Sequence, residues 1–341
     1  MRAHRRLLRG AALIRPVHDE DADGIIALIG GCWAEFPGCV MDVDGENPEL
    51  RAFAAFAARK GGVSWVEEQG GEIVGLVATW PLGHDQAWEI ARMYVAQSAR
   101  GSGLAHTLLD RAEAHARAAG AERLVLWSDT RFEAAHRFYE KRSYVRAGSI
   151  RILDDRSRSL EFRYAKPVAP LAVEALDAAA AASAERRLAE VLVACVDAGS
   201  SASFRAPLAP DTARGYWRKV SADVAAGTRL LLAAWTDGVL AGTVMLDLGT
   251  PPNQPHRAEL QKLLVHPDFR RRGIARALTE RAEQAATRIN RRLLTLDTPE
   301  GGGGEALFRD LGWTEAGRIP GYALDPDGTP RATVFFHKTP A

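Results

Sequence analysis

Residues 266–278 read HPDFRRRGIARAL, and residues 96–108 read AQSARGSGLAHTL. Each stretch follows a run of strand character and opens a long amphipathic run of helical character. Each sets an arginine, a glycine and an alanine at one spacing: Arg100, Gly103 and Ala105, then Arg270, Gly273 and Ala275. A small-residue turn at a helix start leaves backbone N–H groups without partners and puts the positive end of the helix dipole behind them. Such a spot suits a diphosphate. A glycine there lets phosphates come up against the backbone, where a Cβ would stand in the way. The copies lie 170 residues apart, and so do Glu89 and Glu259 on the strands before them. One R-x-x-G-x-A is a weak signal, but two in a common register predict a repeated domain.

Strand, R-x-x-G-x-A and helix in this order resembles the acetyl-CoA-binding motif of the GNAT superfamily of N-acetyltransferases. The resemblance implies an α/β (α+β) chain of two tandem GNAT-type domains, each a mixed, mostly antiparallel sheet flanked by helices. It implies that the motif strand and the next strand splay apart where an acyl-CoA enters. The implied cofactor is acetyl-CoA, held in the first domain by Tyr94, Val95, Arg100, Gly101, Ser102, Gly103, Leu104 and Ala105. In the second the matching set is Leu264, Val265, Arg270, Arg271, Arg272, Gly273, Ile274 and Ala275. Residues 253–267, 293–298 and 319–322 (NQPHRAELQKLLVHP, LLTLDT and IPGY) are similar to the tabtoxin-resistance type of acetyltransferase, which acts on small amine-bearing compounds. That closer likeness covers about residues 234–338.

Acyl transfer from a thioester to an amine needs a group that takes the amine's proton and one that protonates the leaving thiolate. Carried over residue by residue, the resemblance assigns Glu89 as base and Tyr139, in RFYEK 137–141, as acid. The second domain keeps Glu259 as base, but Phe308 stands where the tyrosine is expected. Tyr322 is a candidate substitute there; otherwise water suffices, since a thiol of pKa about 8.5 needs little help. On residue type alone, Glu89 and Glu259 also read as solvated carboxylates and Tyr139 as a core aromatic. Trp127, Asp129, His256 and Arg257 are candidate edges of acceptor pockets. His106, His115 and His136 have no partner pattern and read as surface or capping residues.

At 341 residues the chain suits two domains of ordinary size. Lysine and arginine number 44 against 43 acids, so the basic excess of a nucleic-acid binder, tRNA included, is missing. Cys32, Cys39 and Cys195 have neither metal-ligand spacing nor an even count, and read as reduced thiols of a cytoplasmic protein. No apolar run reaches the ~20 residues that span a bilayer. Asp42, Asp44 and Gly45 hint at a calcium loop, but Phe53 holds the place of its last glutamate, so no metal is expected. There is no P-loop, nucleophile elbow or activated cysteine pattern, which favours direct transfer in a ternary complex over a covalent relay.

Periodicity and breakers divide the chain into a basic, disordered arm (1–10), a first domain (11–166) and a second (167–341), with KPVAP at 166–170 between the domains. In the first, strands are expected at 11–17, 63–68, 73–80, 88–95, 123–128, 144–152 and 160–164, and helices at 19–36, 49–60, 103–119 and 131–141. In the second, strands are expected at 171–176, 230–235, 240–248, 259–265, 293–296, 318–324 and 333–337. Its helices are expected at 177–198, 211–226, 272–289 and 305–311, with glycines 301–304 as a flexible loop. The resulting expectation is an acetyl-CoA-dependent N-acetyltransferase acting on a primary amine of a small molecule, as a monomer or homodimer. The alternative is that one domain, the C-terminal by preference, binds acyl-CoA as a sensor or scaffold.

Overall fold

The computed structural model describes residues 13–83, 85–146 and 148–340, so the arm expected at 1–10 and the start of the first strand lie outside it. The chain forms two compact units that divide between Lys166 and Pro167, residues 146–149 grouping with the second. In the first unit, β1 (Leu13–Pro16), β2 (Val63–Gln69), β3 (Glu72–Pro81) and β4 (Ala87–Val95) form an antiparallel run. β5 (Arg123–Asp129) lies parallel to β4, and β8 (Leu160–Pro167) follows it in the sheet with the two-residue pieces β6 (Val145–Arg146) and β7 (Arg151–Ile152). The helices are α1 (Ala22–Trp33), α2 (Phe53–Arg59), α3 (Leu104–Ala118) and α4 (Glu133–Lys141). The second unit repeats the plan with β9 (Leu171–Leu176), β10 (Arg229–Thr236), β11 (Val239–Asp247), β12 (Arg257–Val265), β13 (Leu293–Pro299), β14 (Thr314–Leu324) and β15 (Pro330–Lys338). Its helices are α5 (Ala178–Ser183), α6 (Glu185–Asp197), α7 (Pro210–Ala225), α8 (Ile274–Arg288) and α9 (Gly303–Asp310).

Both faces of each sheet are covered, which is why the central strands are almost continuously apolar. In β10, Leu231 and Ala233 join α6 and α7 in one core, while Leu232 and Ala234 join α8 in the other. The pattern on α8 follows from its period: Ile274, Leu278, Ala282 and Ala286 recur every fourth residue and are buried. In the first unit α3 packs so closely on β3 that a Cβ on Gly75 would come within 2.9 Å of Leu108. Each carrier helix is also pinned by a charge. Glu113 of α3, 1% exposed, takes Lys166 Nζ at 3.0 Å and the Tyr144 hydroxyl at 3.1 Å. Glu283 of α8 takes Lys338 Nζ at 2.6 Å and the Trp313 indole at 2.8 Å.

The feature that makes room for a site is a bulge in the motif strand. In β4 the register slips where Leu76 faces Tyr94 and Ala78 faces Ala91, and Arg92 takes a φ of 49°. In β12 the slip falls where Thr243 faces Leu264 and Met245 faces Gln261, and Lys262 takes a φ of 51°. A bulge bends its strand and increases the local twist. Accordingly β4 pairs with β5 only over Ala87–Glu89, and β12 with β13 only over Arg257–Glu259. Beyond those residues each pair splays.

Several expected elements differ. Residues 144–152 do not form one strand, because the chain breaks between β6 and β7 with Gly148 at a φ of 98°. Residues 177–198 form two helices broken at Ala184, which ends α5 and begins α6. Glycines 303 and 304 are the first turn of α9 and not a loop. The expected helices 19–36 and 49–60 both begin as tight 3-10 turns, over Asp19–Asp21 and Pro48–Ala52.

Candidate functional site

The turn before α3 behaves as its composition requires. Gly101 and Gly103 have φ of 74° and 90°, and a Cβ on either would meet no atom within 4 Å, so both face open space. Among the described residues the N–H groups of Gly101, Ser102, Gly103 and Ala105 donate no hydrogen bond, and they lie at the positive end of a fifteen-residue helix. The Ser102 hydroxyl instead turns back, donating to Ala99 O at 2.6 Å and accepting from Leu104 N at 3.3 Å. Arg100 is held by both oxygens of Glu35 at 2.7 and 2.6 Å, with its Nε on Val95 O at 3.2 Å.

From this turn an apolar cleft of about 500 Å³ runs between β4 and α4, walled by Met93, Tyr94, Leu104, Phe132, Phe138 and Tyr139. Val95, Arg100, Gly101, Gly103 and Ala105 also line it. Tyr139 is 7% exposed, and burial pushes its phenol above the ordinary tyrosine range. It therefore keeps its proton at neutral pH.

A second cavity of about 570 Å³ shares the Tyr94 and Phe132 walls with the cleft. Glu89, Trp127 and Asp129 all lie in its lining. Glu89 accepts the Trp80 indole N–H on Oε2 at 2.7 Å, and Oε1 has no partner among the described residues. Trp33 donates to the Tyr94 hydroxyl at 2.9 Å. Burial works against the Asp129 charge, but Arg131, at 2.5 and 2.8 Å, outweighs it and holds the carboxyl below its usual range. The bulge residue Arg92 is tied to Glu49 at 2.5 Å and Asn47 at 3.0 Å, which fixes one wall.

The cleft thus holds Tyr139 and the phosphate turn, and the cavity that shares its Tyr94 and Phe132 walls holds Glu89, Trp127 and Asp129. Lys60, Trp80, Arg92 and Glu46 line the cavity without having been singled out by the sequence. His136, expected at the surface, is buried with Nε2 on Asp129 O at 2.9 Å. His115 packs edge-on against Trp65 and Trp88. His106 stands at the cleft beside Phe138.

The second unit repeats the phosphate turn closely. Gly273 has a φ of 77° and open space at its Cβ position, and Arg271 takes the left-handed place of Gly101 with a φ of 64°. Leu264, Val265, Arg270, Arg271, Gly273, Ile274 and Ala275 line a cleft of about 820 Å³. Arg272 is not in that lining; its guanidinium lies over Phe269 at 5.2 Å and bonds Asp268 O. Arg270 reaches Ser200 Oγ at 3.1 Å, with no carboxylate on it among the described residues.

The chemistry around that cleft departs from the first. Phe308 is 3% exposed in the core against Trp313 and Phe336, and it lines no part of the cleft. Tyr322 is 55% exposed and packs edge-on against Phe335, away from the cleft lining. Neither places a proton donor in the cleft lining. Glu259 Oε1 accepts from Gln261 at 2.9 Å, and Arg257 Nη1 lies 3.8 Å from Oε2. His256 is exposed. By strand register, Asp297 in β13 occupies the place of Trp127 in β5.

Comparison with known proteins gives a consistent result. The model of the acetyltransferase (GNAT) family matches twice, over residues 31–144 and 174–313. An uncharacterised N-acetyltransferase encoded in the hisH–hisA intergenic region of Azospirillum brasilense is 35% identical over 107 residues, which is 31% of this chain and 62% of that protein. The chain therefore spans less than two thirds of that curated relative. Among solved structures, yncA of Salmonella typhimurium, described with its cofactor acetyl-CoA, is 16% identical with a TM-score of 0.43, over 51% of this chain and 95% of that one. An N-acetyltransferase of Staphylococcus aureus is 24% identical with a TM-score of 0.39, over 46% and 98% of the two chains.

Proposed function

The chain belongs to the acetyltransferase (GNAT) family, and on that premise we propose that it transfers an acetyl group from acetyl-CoA to a primary amine of a small molecule, with the first unit as the working site. The observation that supports this reading is the adjacency of two pockets across Tyr94 and Phe132, one lined by the phosphate turn and Tyr139 and the other by Glu89. The residues fit the donor. Unpartnered N–H groups and open space at Gly101 and Gly103 suit its diphosphate, and the apolar cleft suits its uncharged arm. Acetyl-CoA supplies an activated thioester when bound. Arg100 adds a cation at the diphosphate. Glu89 Oε1 holds the proton lost by the ammonium, directly or through water, and Tyr139 Oη carries the proton that the departing sulfur takes up. A cytoplasmic location belongs to the same proposal, supported by three unpaired cysteines; among the described residues no helix is long and apolar enough to cross a membrane.

For the second unit, Phe308 in the core favours a different reading: binding of the donor with slow or no transfer, as a sensor or scaffold. Calorimetric titration with acetyl-CoA separates the readings. Two sites are expected in the wild type, one in Gly103→Trp and one in Gly273→Trp, with amine turnover lost only in Gly103→Trp. Absence of any acetyl-CoA binding would overturn the proposal.

A further inference from the structure

The cavity beside Glu89 holds more negative charge than one amine needs. Three of its carboxylates are answered within the protein: Glu49 by Arg92, Asp129 by Arg131 and Glu161 by Arg151. Glu46, Glu89, Asp154 and Asp155 line the same cavity and have no ion-pair partner among the described residues. Against these four stands Lys60, which has no carboxylate partner among the described residues; its ammonium lies 4.3 Å from the Trp80 ring centre and 5.3 Å from that of Phe56. The walls attract cations in a second, independent way. Trp127 already carries the Arg151 guanidinium at 4.4 Å, and Trp33 and Tyr94 add further ring surface.

These four acids come from three places in the chain. Glu89 sits on β4 next to the shared wall with the donor cleft. Glu46 comes from the loop before α2, and Asp154 and Asp155 from the turn between β7 and β8. Among the described residues Glu46 and Asp155, both half-buried, accept only the backbone N–H groups of Arg156 and Ser159, each at 2.7 Å, while Asp154 is exposed at the rim. A substrate with a single charge, placed at Glu89, would leave these three carboxylates without a counter-cation.

Resting on the N-acetyltransferase reading, we propose that the acceptor of the first unit is a small aliphatic polycation carrying at least two ammonium groups. One reacts beside Glu89, and another docks among Glu46, Asp154 and Asp155. A cavity of about 570 Å³ accommodates an extended di- or triamine. In the transfer a nitrogen–carbon bond forms and the carbon–sulfur bond breaks. The reacting ammonium gives one proton to Glu89 and thence to solvent. The sulfur takes a proton from Tyr139, and the second proton lost by the nitrogen as the carbon–sulfur bond breaks restores the phenol through water. The docked ammonium keeps its charge throughout. The product carries one positive charge fewer than the substrate, so the acidic cavity that draws the substrate in holds the product less tightly.

The test compares 1,5-diaminopentane with 1-aminopentane on the full chain, by acetyl transfer and by calorimetric binding. The expected kcat/KM for the diamine exceeds that for the monoamine by at least ~10-fold, as an added charge pair in a partly enclosed site gives. That ratio should fall toward one in the double variant Glu46→Gln/Asp154→Asn and also as salt rises. Glu46→Gln alone should reduce the ratio part of the way. Acetyl-CoA titration of each variant reports that it is folded. Equal use of the two amines, a preference for the monoamine, or an unchanged ratio in the double variant would overturn the polycation proposal and leave acetyl transfer standing. Binding of acetyl-CoA with no binding of the diamine would overturn it as well. If acetyl-CoA itself does not bind, the underlying reading fails, and this one with it.

Discussion

Tyr139 has no hydrogen-bond partner among the described residues, yet it faces the cleft from a nearly dry setting, and that combination suits a proton donor better than a structural phenol. Tyr139→Phe is therefore expected to lower kcat by about 10²-fold while KM for acetyl-CoA holds, in steady-state kinetics. The protonated phenol is the active form, and burial raises its pKa. The loss of rate that an ordinary tyrosine would cause near pH ~10 should accordingly be displaced to higher pH in the wild type. Glu35 makes a second case. Its carboxylate grips Arg100 and would repel a diphosphate at the adjacent turn, so Glu35→Gln is expected to tighten acetyl-CoA binding at the first site by roughly 3- to 10-fold, less at high salt. Calorimetry at two salt concentrations checks it. Glu89 and Tyr139, which line pockets of the first unit, were legible in the sequence through the family resemblance, one by its place on the motif strand and the other by the RFYEK segment. Lys60, Trp80, Glu46 and Asp154 were not, since they come from a helix end, a strand and two loops and meet only after folding.

At the scale of elements, the carrier helix is fixed to the last long strand by the pair of Glu113 and Lys166, with the Tyr144 hydroxyl on the same carboxylate. Breaking one side of a buried pair leaves a charge unanswered, so Glu113→Ala should cost about 3–5 kcal/mol by urea unfolding, and Glu113→Gln less. Truncating Leu278, fully buried on the sheet-facing side of α8, should cost about 2–5 kcal/mol in Leu278→Ala. The strands and both carrier helices were legible because their apolar period matches burial on one or both faces. The break at Ala184 was not, since alanine carries no stop signal and both flanking segments have helix-forming composition. Nor was the gap between β6 and β7, where a left-handed Gly148 overrides residues with strand propensity. The bulges at Arg92 and Lys262 are silent in sequence for a related reason: they place long side chains in a left-handed conformation that composition does not favour.

Across the whole molecule, duplication preserves one pole of each unit and changes the other. Glutamate, bulge, phosphate turn and pinned helix recur in register, whereas Tyr139 gives way to Phe308 and Trp127 to Asp297. Donor binding is therefore expected in both units and amine turnover in the first, so Gly273→Trp should remove one calorimetric site while kcat stays within about twofold. The indoles follow the same asymmetry. Trp33, Trp80 and Trp127 line the first cavity, while Trp217 and Trp313 are sealed in the second unit's cores. Trp80 meets a carboxylate through its ring nitrogen and an ammonium over its face. An amine arriving at Glu89 must disturb both neighbours of that ring, so the intrinsic emission of the protein carries a signal of acceptor binding that arises from the first unit and needs no added label.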